Sequence, residues 1–165
     1  MGERNSHCSW CGAALAPDQP WPRTCAACGK RSYLNPRPVA VLVVPVGAGV
    51  LLVQRGIPPQ QGAWALPGGY IGLGETWEAA GAREVQEETG LRLDPAAIRH
   101  LCTLTDAEGG YLLVFGVTAP QPATALAGFT PNVETLGWGL ATGPQALAFP
   151  LHTQALAAYF ADRRT

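Results

Sequence analysis

Three glutamates near the middle of the chain have the spacing at which side chains share one face of a helix. Glu84, Glu87 and Glu88 stand three and four residues apart, and residues at these spacings are neighbours on a helix surface. Like charges placed in this way destabilise a helix by about 0.2–0.5 kcal/mol per pair, so their concentration favours a bound cation. Carboxylate oxygens without Cys or His suit Mg²⁺ or Mn²⁺ rather than Zn²⁺. Taken alone, the three glutamates fit a solvated helix face equally well.

Four cysteines near the amino terminus form a second candidate site. They occur as Cys8-x-x-Cys11 and Cys25-x-x-Cys28, with thirteen residues between the two pairs. Two such pairs supply the tetrahedron of thiolates that zinc prefers. Because four sulfurs leave no coordination position for water, the pattern predicts a structural Zn²⁺ site rather than a catalytic one.

A glycine follows each cysteine pair, Gly12 and Gly29. Glycine lets the backbone curl tightly, so that its amides face the sulfurs. The alternatives are two disulfides, which are rare in a cytoplasmic protein, or a redox Cys-x-x-Cys, which would not need a duplicate. The fifth cysteine, Cys102, lies alone in an apolar run and is expected to be a buried core residue.

The elements that must position these residues follow from runs of β-branched residues and from one segment rich in Ala, Glu, Arg and Gln. Strand-like runs separated by Gly and Pro alternate with helical patterns, which indicates an α/β or α+β sandwich. The predicted strands cover residues 39–46, with Pro45 at a strand end, 50–53, 98–105, 111–118 and 133–140, and the predicted helices cover 75–89, ended by Gly90, and 151–160.

The chain divides into a small amino-terminal piece and one larger domain. Residues 1–37 carry a net charge of +3 and residues 38–165 a net charge of −4. We place the boundary in the proline-containing segment 35–38, with a zinc ribbon at 1–36 and the main domain at 37–165. About 36 residues are too few to be held together by apolar burial, so the metal is expected to supply the folding energy of the ribbon.

Composition and charge exclude several classes of protein. With 47% apolar and 14% charged residues the chain is expected to fold as a globule, and its net charge of −1 excludes an overall basic field. The longest apolar stretch, residues 39–46, is too short to cross a bilayer, so no membrane partner is expected. The amino terminus has neither a secretory nor a transit pattern, which predicts a cytoplasmic location.

The segment around the three glutamates has a wider pattern. From Gly69 it reads five residues, Glu75, seven residues, Arg83-Glu84, an aliphatic residue, any residue, Glu87-Glu88, any residue, Gly90 and an aliphatic residue. This segment resembles the signature box of the Nudix hydrolases at every fixed position. The resemblance implies an α/β/α sandwich in which the box forms a loop, a helix and a second loop. It also implies metal-dependent hydrolysis of a nucleoside diphosphate linked to another moiety, and Nudix relatives commonly form homodimers.

The resemblance also implies roles for individual residues. The box glutamates Glu84, Glu87 and Glu88 would bind Mg²⁺ or Mn²⁺ together with the backbone carbonyl of Gly69, and Arg83 would orient them. Glu75 would brace the loop. The base is expected to be Glu87, Glu88 or a glutamate outside the box, where Glu134 is the candidate, although a surface role suits Glu134 better.

Contacts with the substrate are less well defined by the sequence. Arg55 is a candidate contact for phosphate, weighed against an ordinary surface cation. Three tyrosines, Tyr33, Tyr70 and Tyr111, have rings on which a base could stack, but aromatic residues are more often core and none is assigned.

The choice of substrate rests on the cysteine ribbon and on one missing motif. A four-cysteine ribbon joined through residues 33–38 to the box resembles the NADH pyrophosphatases and shorter proteins that act on ADP-ribose or FAD. The NADH group carries Ser-Gln-Pro-Trp-Pro-Phe-Pro-x-Ser after the box, and nothing similar follows Gly90 here. ADP-ribose or FAD is therefore favoured. The alternatives are an NADH pyrophosphatase, an RNA-cap hydrolase, or a non-catalytic metabolite sensor with a nucleic-acid-binding ribbon, but a charge of +3 is weak support for a nucleic-acid partner.

Overall fold

The computed structural model describes residues 5–162. Contacts within the chain divide it into two compact units, Met1–Pro36 and Arg37–Thr165. No helix in residues 5–162 has both the length and the apolar character needed to cross a bilayer.

The first unit is small and is organised around its cysteines. Two short antiparallel strands, β1 (Arg23–Thr24) and β2 (Arg31–Ser32), form its sheet. Its buried apolar side chains are Cys8, Leu15 and Cys25. Because so little apolar surface is buried, the unit has no core comparable with that of an ordinary domain.

The second unit contains two four-stranded sheets. Their strands are β3 (Arg37–Val43), β4 (Pro45–Val46), β5 (Gly49–Arg55), β6 (Trp64–Ala65), β7 (Gly68–Tyr70), β8 (Arg99–Thr105), β9 (Tyr111–Val117) and β10 (Thr135–Ala141). In the first sheet the order is β7-β3-β9-β8, with β3 and β9 parallel and the other pairs antiparallel. In the second sheet β10, β5 and β4 lie side by side, and β6 also pairs with β5.

The predicted strand over residues 39–46 is divided in the structure. Residues Arg37–Val43 belong to the first sheet, whereas the short strand at Pro45 and Val46 belongs to the second. Proline has no N–H to donate to the hydrogen bonds between strands. Here Pro45 is the first residue of β4, which pairs antiparallel with β5. The prediction that Pro45 lies at a strand end is confirmed, whereas the prediction of one continuous strand was wrong, because the chain changes sheets at the proline.

Two helices complete the unit, α1 (Trp77–Thr89) and α2 (Pro150–Asp162). The first begins two residues later than predicted, because the side chain of Thr76 caps it by accepting a hydrogen bond from Ala79 N at 3.2 Å. It ends at Gly90 as predicted, with a left-handed φ of 77° that suits glycine.

Alternating residues of β3 pack into two different cores. Val41 and Val43 lie in a cluster with residues of α2, and Leu42 lies in a second cluster with Ala82 and Val85 of α1. Side chains of a strand point alternately to opposite faces, so the two helices cover opposite faces of this strand. The arrangement confirms the predicted α/β sandwich fold.

Candidate active site and cysteine site

The three box glutamates project from the carboxyl-terminal half of α1. Glu88 faces inward and is buried, Glu84 is half-buried, and the side chain of Glu87 is 54% exposed. The helix therefore presents its acidic residues along the boundary between core and solvent. This position explains why the same three side chains fit both a helix face and a site.

A cavity of about 450 Å³ brings these glutamates together with residues from distant parts of the chain. Glu84, Glu87 and Glu88 line it, and so does Glu134, which immediately precedes β10. The side chain of Asn132 ties this segment to the helix, since its amide donates to Glu87 O at 3.1 Å and its Oδ1 accepts from Glu134 N at 2.9 Å. Four carboxylates thus face one cavity, a grouping that could not be read from the box alone.

Arg83 connects the acidic residues of the box to one another. Its Nη1 donates to Glu84 Oε1 at 2.8 Å and to Glu87 Oε2 at 3.1 Å, while its Nε donates to Glu75 Oε1 at 2.7 Å. The hydrogen bonds from Arg83 and from Gly72 N lower the pKa of Glu75 to about 2. One guanidinium therefore links the loop before the helix to two of the three glutamates, the arrangement expected of a residue that orients them.

The backbone at β7 lies directly against the carboxylates of Glu84 and Glu88. A side chain at Gly69 would overlap the carboxylate of Glu84 in its observed position, so that carboxylate would have to move. Gly68 N donates to Glu88 Oε2 at 3.0 Å. Burial, together with the nearby charges of Glu84 and Glu134, raises the pKa of Glu88 to about 8, against the opposing effect of the Gly68 amide.

The glutamates share a cavity without forming a tight cluster. Within residues 5–162, the four cysteines are the only group of three or more Cys, His, Asp or Glu whose ligand atoms all lie within 4.8 Å of one another. Glu84 and Glu87 are instead hydrogen-bonded to Arg83, and Glu88 is hydrogen-bonded to Gly68 N. The donor set nevertheless fits a hard cation, because it consists of carboxylate oxygens. Mutual repulsion and partial burial disfavour the ionised carboxylates, and a bound cation would offset both effects.

Arg55 and His152 also line the cavity. The Arg55 side chain donates to the carbonyl oxygens of Pro59 at 2.8 Å and Ile57 at 3.3 Å and lies 5.0 Å from the ring centroid of Phe149. His152 was not singled out by the sequence analysis. It is buried, its Nδ1 has no hydrogen-bond partner, and burial together with the charge of Arg55 lowers its pKa to about 3. It therefore offers the cavity a neutral imidazole.

Of the three tyrosines, Tyr70 and Tyr111 line the cavity, whereas Tyr33 lies in the amino-terminal unit and is exposed. Nothing in the residue type separates the two cavity tyrosines from Tyr33. They differ from it only in position, since Tyr70 directly follows the glycines of β7 and Tyr111 begins β9.

The four amino-terminal cysteines converge on one point. The sulfurs of Cys8 and Cys28 lie 3.8 Å apart and those of Cys11 and Cys25 lie 3.6 Å apart. Zinc binds thiolate at about 2.3 Å in a tetrahedron, for which sulfur separations of roughly 3.8 Å follow. All four are free thiols, so the structure contains neither of the two disulfides considered as an alternative. The residues fit Zn²⁺ with no position left for water.

The glycines after the cysteine pairs form the tight backbone turns that were predicted, although their own amides face carbonyl oxygens rather than sulfurs. Gly12 and Gly29 have left-handed φ values of 74° and 69°, and their amides return to the carbonyl oxygens of Cys8 and Cys25. Hydrogen bonds from the amides of Cys11 and Trp10 lower the pKa of the Cys8 thiol to about 6. By contrast, Cys102 lies on β8 at the edge of its sheet and is only half-buried, so the prediction of a buried residue was too strong.

Comparison with known proteins identifies the larger unit. Residues 36–122 match the profile of the NUDIX domain. The chain belongs to the NUDIX domain family. The match includes β3 to β9 and α1, and so all of the box from Gly69 to Gly90.

Individual relatives cover different parts of the chain. An ADP-ribose pyrophosphatase from Methanocaldococcus jannaschii is 43% identical over 61 residues, 37% of this chain and 36% of the relative. The NAD-capped RNA hydrolase NudC from Escherichia coli O157:H7 is 29% identical over 102 residues, 61% of this chain and 37% of the relative. The matches therefore span little more than a third of the length of either relative.

A solved structure matches almost the whole chain. The NUDIX hydrolase from Nitrosomonas europaea superposes with a TM-score of 0.76 at 25% identity, covering 96% of this chain and 92% of that one. The resemblance to the Nudix family drawn from the box is therefore confirmed.

Proposed function

We propose that this NUDIX protein is a pyrophosphohydrolase that hydrolyses the diphosphate bond of a nucleoside diphosphate linked to another moiety. The observation that carries the proposal is the convergence of Glu84, Glu87, Glu88 and Glu134 on one cavity. The box alone would also suit a sensor that binds a metabolite without turnover. A complete set of hard ligands beside an additional carboxylate favours catalysis, because a sensor does not require both.

Glu84, Glu87 and Glu88 would hold Mg²⁺ or Mn²⁺, together with the backbone carbonyl of Gly69. A bound divalent cation supplies Lewis acidity towards the diphosphate and lowers the pKa of the attacking water. Arg83 keeps Glu84 and Glu87 oriented through its hydrogen bonds at 2.8 and 3.1 Å. Arg55, fixed by two loop carbonyls, places its positive charge in the cavity wall, where it would contact a phosphate oxygen.

Glu134 is the residue best placed to accept the proton of the attacking water. Glu84 and Glu87 are paired with Arg83, and Glu88 accepts the Gly68 amide. The carboxylate of Glu134 makes no ion pair or hydrogen bond with any residue in the described range 5–162. A glutamate without a partner at the cavity is available for proton transfer, a contribution of about 10²–10⁴-fold in rate. Glu134→Gln should therefore lower kcat within that range while leaving Mn²⁺ affinity within a fewfold of wild type.

ADP-ribose and FAD are the proposed substrates. The similarity to an ADP-ribose pyrophosphatase over 61 residues supports the first. The second candidate is hydrolysis of NADH or of NAD-capped RNA, which is favoured by the longer alignment, over 102 residues, with NudC. The absence of the Ser-Gln-Pro-Trp-Pro-Phe-Pro-x-Ser motif after Gly90 argues against that candidate.

The experiment that tests the proposal is a magnesium-dependent hydrolysis screen of the full chain. The compounds are ADP-ribose, FAD, NADH, NAD-capped RNA, sugar nucleotides, dinucleoside polyphosphates and nucleoside triphosphates. We expect the highest kcat/KM with ADP-ribose or FAD. Preference for NAD-capped RNA would support the second candidate, and no turnover of any diphosphate, with binding retained, would support the sensor.

We also propose that Cys8, Cys11, Cys25 and Cys28 hold one Zn²⁺ as a structural ribbon, and that the protein forms a homodimer. Elemental analysis tests the first proposal, with one zinc per chain expected. Light scattering of the zinc-loaded full chain tests the second.

A further inference from the structure

The strand β10 lies at the open edge of the second sheet. It pairs with β5 on one side, and within residues 5–162 no strand pairs with its other side. A free edge presents unpaired backbone N–H and C=O groups, to which a further strand can be added. Such edges are commonly protected by a charge, a proline or a bulge. In β10 there is only a bulge near its start, between Thr135 and Gly137, and the strand contains neither a charged residue nor a proline.

The hydrogen bonds of β5 determine which backbone groups of β10 point outward. The amide of Leu51 donates to Val44 O at 2.9 Å, on the side of β5 that faces away from β10. Because backbone groups alternate in direction from one residue of a strand to the next, those of Val53 point the same way as those of Leu51. Trp138 lies opposite Val53, and Leu140 lies opposite Leu51. The N–H and C=O groups of Trp138 and Leu140 are therefore directed to the open edge.

The same strand carries exposed apolar side chains. Its three large residues, Leu136, Trp138 and Leu140, are 46%, 37% and 41% exposed. Trp138 and Leu140 lie on one face, since residues two apart on a strand point the same way. The residues that alternate with these three, Gly137 and Gly139, have no side chains that would keep a second strand away. An exposed apolar edge of this kind is a template for pairing with another chain.

The sequence of the strand reads the same in both directions about Trp138. Residues 136–140 are Leu-Gly-Trp-Gly-Leu. When two copies of β10 are paired antiparallel about a two-fold axis at Trp138, the two tryptophans lie opposite each other, and Leu136 lies opposite Leu140 of the second copy. A two-fold interface requires this self-complementarity, because the same surface supplies both sides. A strand of an unrelated protein would gain nothing from the palindrome, so the pattern favours a second copy of this chain.

Charge and area are consistent with this occupant. Residues 135–141 are uncharged, and Glu134 would lie opposite Thr142 of the second copy, so the pairing brings no like charges together. The apolar area is modest, because a fully buried tryptophan contributes about 150–250 Å², whereas a stable interface buries about 800 Å² per partner. We therefore expect a reversible dimer with a Kd on the order of micromolar.

We propose that β10 forms the dimer interface: two copies pair antiparallel through their open edges, centred on Trp138, and their second sheets join into one continuous sheet. The inference rests on the homodimer proposed above and names the surface that forms it. In this register Trp138 exchanges two backbone hydrogen bonds with its counterpart. None of the four cavity glutamates belongs to the paired residues 136–140, so association can be measured independently of hydrolysis.

The first test measures association of the full zinc-loaded chain by sedimentation velocity, over concentrations that bracket the micromolar range. We expect the wild type to pass reversibly from monomer to dimer. Trp138→Lys places two like charges directly opposite each other and should raise the Kd of the dimer by about 100-fold or more. Leu34→Lys is the matched control, because this leucine is also exposed but belongs to the amino-terminal unit, and it should leave the Kd unchanged.

A pair of opposite charges separates the loss of the interface from the loss of the fold. Trp138→Glu by itself should dimerise as poorly as Trp138→Lys. An equimolar mixture of the two variants should associate at least about tenfold more tightly than either variant does with itself, because opposite charges that face each other on paired strands attract. Circular dichroism of each variant checks that the fold is retained.

Hydrogen exchange reports the backbone pairing directly. The amides of Trp138 and Leu140 should become protected as the concentration of the wild type rises, because they pair only in the dimer. The amides of Gly139 and Ala141, which lie opposite residues of β5 that point toward β10, should be protected at every concentration.

Three outcomes would overturn the inference. The wild type could remain monomeric at every concentration, or its dimer could persist with unchanged affinity in Trp138→Lys, which would place the homodimer on another surface. The amides of Trp138 and Leu140 could also be protected in the dilute monomer, which would show that another segment of this chain covers the edge. If no diphosphate is hydrolysed while the dimer behaves as expected, the proposed activity fails and the interface at β10 stands.

Discussion

The cysteine site and the glutamate site, both candidate metal sites, differ in how the side chains of the site relate to the apolar core around them. In the amino-terminal unit the four sulfurs lie within 4.8 Å of one another, and the cysteines are themselves part of the small core. In the larger unit, Arg83 and Gly68 hydrogen-bond the carboxylates of the box glutamates. The two apolar cores of this unit consist of other residues. We therefore expect the first unit to need zinc in order to fold, and we expect a catalytic cation to bind to a site that the fold of the larger unit has already built.

Removal of zinc gives the largest expected effect. Structural zinc contributes about 10–16 kcal/mol in small zinc domains, and the first unit has little else to stabilise it. Chelation, or Cys25→Ser, should abolish hydrogen-exchange protection in residues 8–32 and leave the protection of β3 and β9 intact. Cys102→Ser is the control, because this cysteine lies outside the cluster. Protection of residues 8–32 that survived complete metal removal would break the comparison.

Removal of one box carboxylate should affect catalysis and not folding. A metal Lewis acid supplies several kcal/mol of transition-state stabilisation, and each 1.36 kcal/mol is tenfold in rate, so Glu87→Gln should lower kcat/KM by about 100-fold or more. Its melting temperature should stay close to that of wild type, since the Glu87 side chain is 54% exposed. Glu78→Gln, on the same helix but away from the cavity lining, is the control. A loss of less than about tenfold would count against a metal role for Glu87.

Loss of the Arg83 fork tests whether the carboxylates are oriented before the metal arrives. Lysine keeps the charge but cannot reach Glu75, Glu84 and Glu87 at the same time. Changes to groups that orient metal ligands cost about 10–100-fold in metal affinity or activity. Arg83→Lys should therefore weaken Mn²⁺ binding within that range by calorimetry, while Arg92→Lys, an exposed arginine beyond the helix, should not. Unchanged Mn²⁺ affinity in Arg83→Lys would mean that the metal alone orders its ligands.

The smallest expected effect is the pH dependence of the loop brace at Glu75. Its partners Arg83 and Gly72 lower its pKa from 4.5 to about 2. Because the native state lowers the pKa, the stabilisation is complete above about pH 4.5 and disappears as the pH falls towards about 2. The melting temperature of metal-free wild type should exceed that of Glu75→Gln near neutral pH, and the difference should close through this window. The effect is small because the pair is partly exposed. A difference that stayed constant with pH would show that Glu75 acts through packing; Glu108→Gln, in an exposed turn, is the control.

Several elements were predictable because local physics determines them. The helix from residue 77 to 89 follows from its composition and from Gly90, and the cysteine knuckles follow from the glycines after each pair. The start of the helix was missed by two residues, since a capping interaction depends on the conformation of Thr76 rather than on propensity. The division of residues 39–46 between two sheets was also missed. The alternation of side chains between two faces identifies a strand, but it does not indicate to which sheet the strand belongs.

The sequence by itself determined the chemistry of this protein: the family, the three carboxylates on one helix and the two thiolate pairs, because each depends on residue type and on short-range spacing. Only the tertiary structure decided what faces those groups. It brings Asn132 to Glu87, 45 residues away along the chain, and with it Glu134. It also leaves His152 buried with an unpaired nitrogen and joins Tyr70 to Tyr111 through Arg37. Such contacts depend on strand register and loop path, which arise from packing of the whole domain and leave no periodic signal in the sequence.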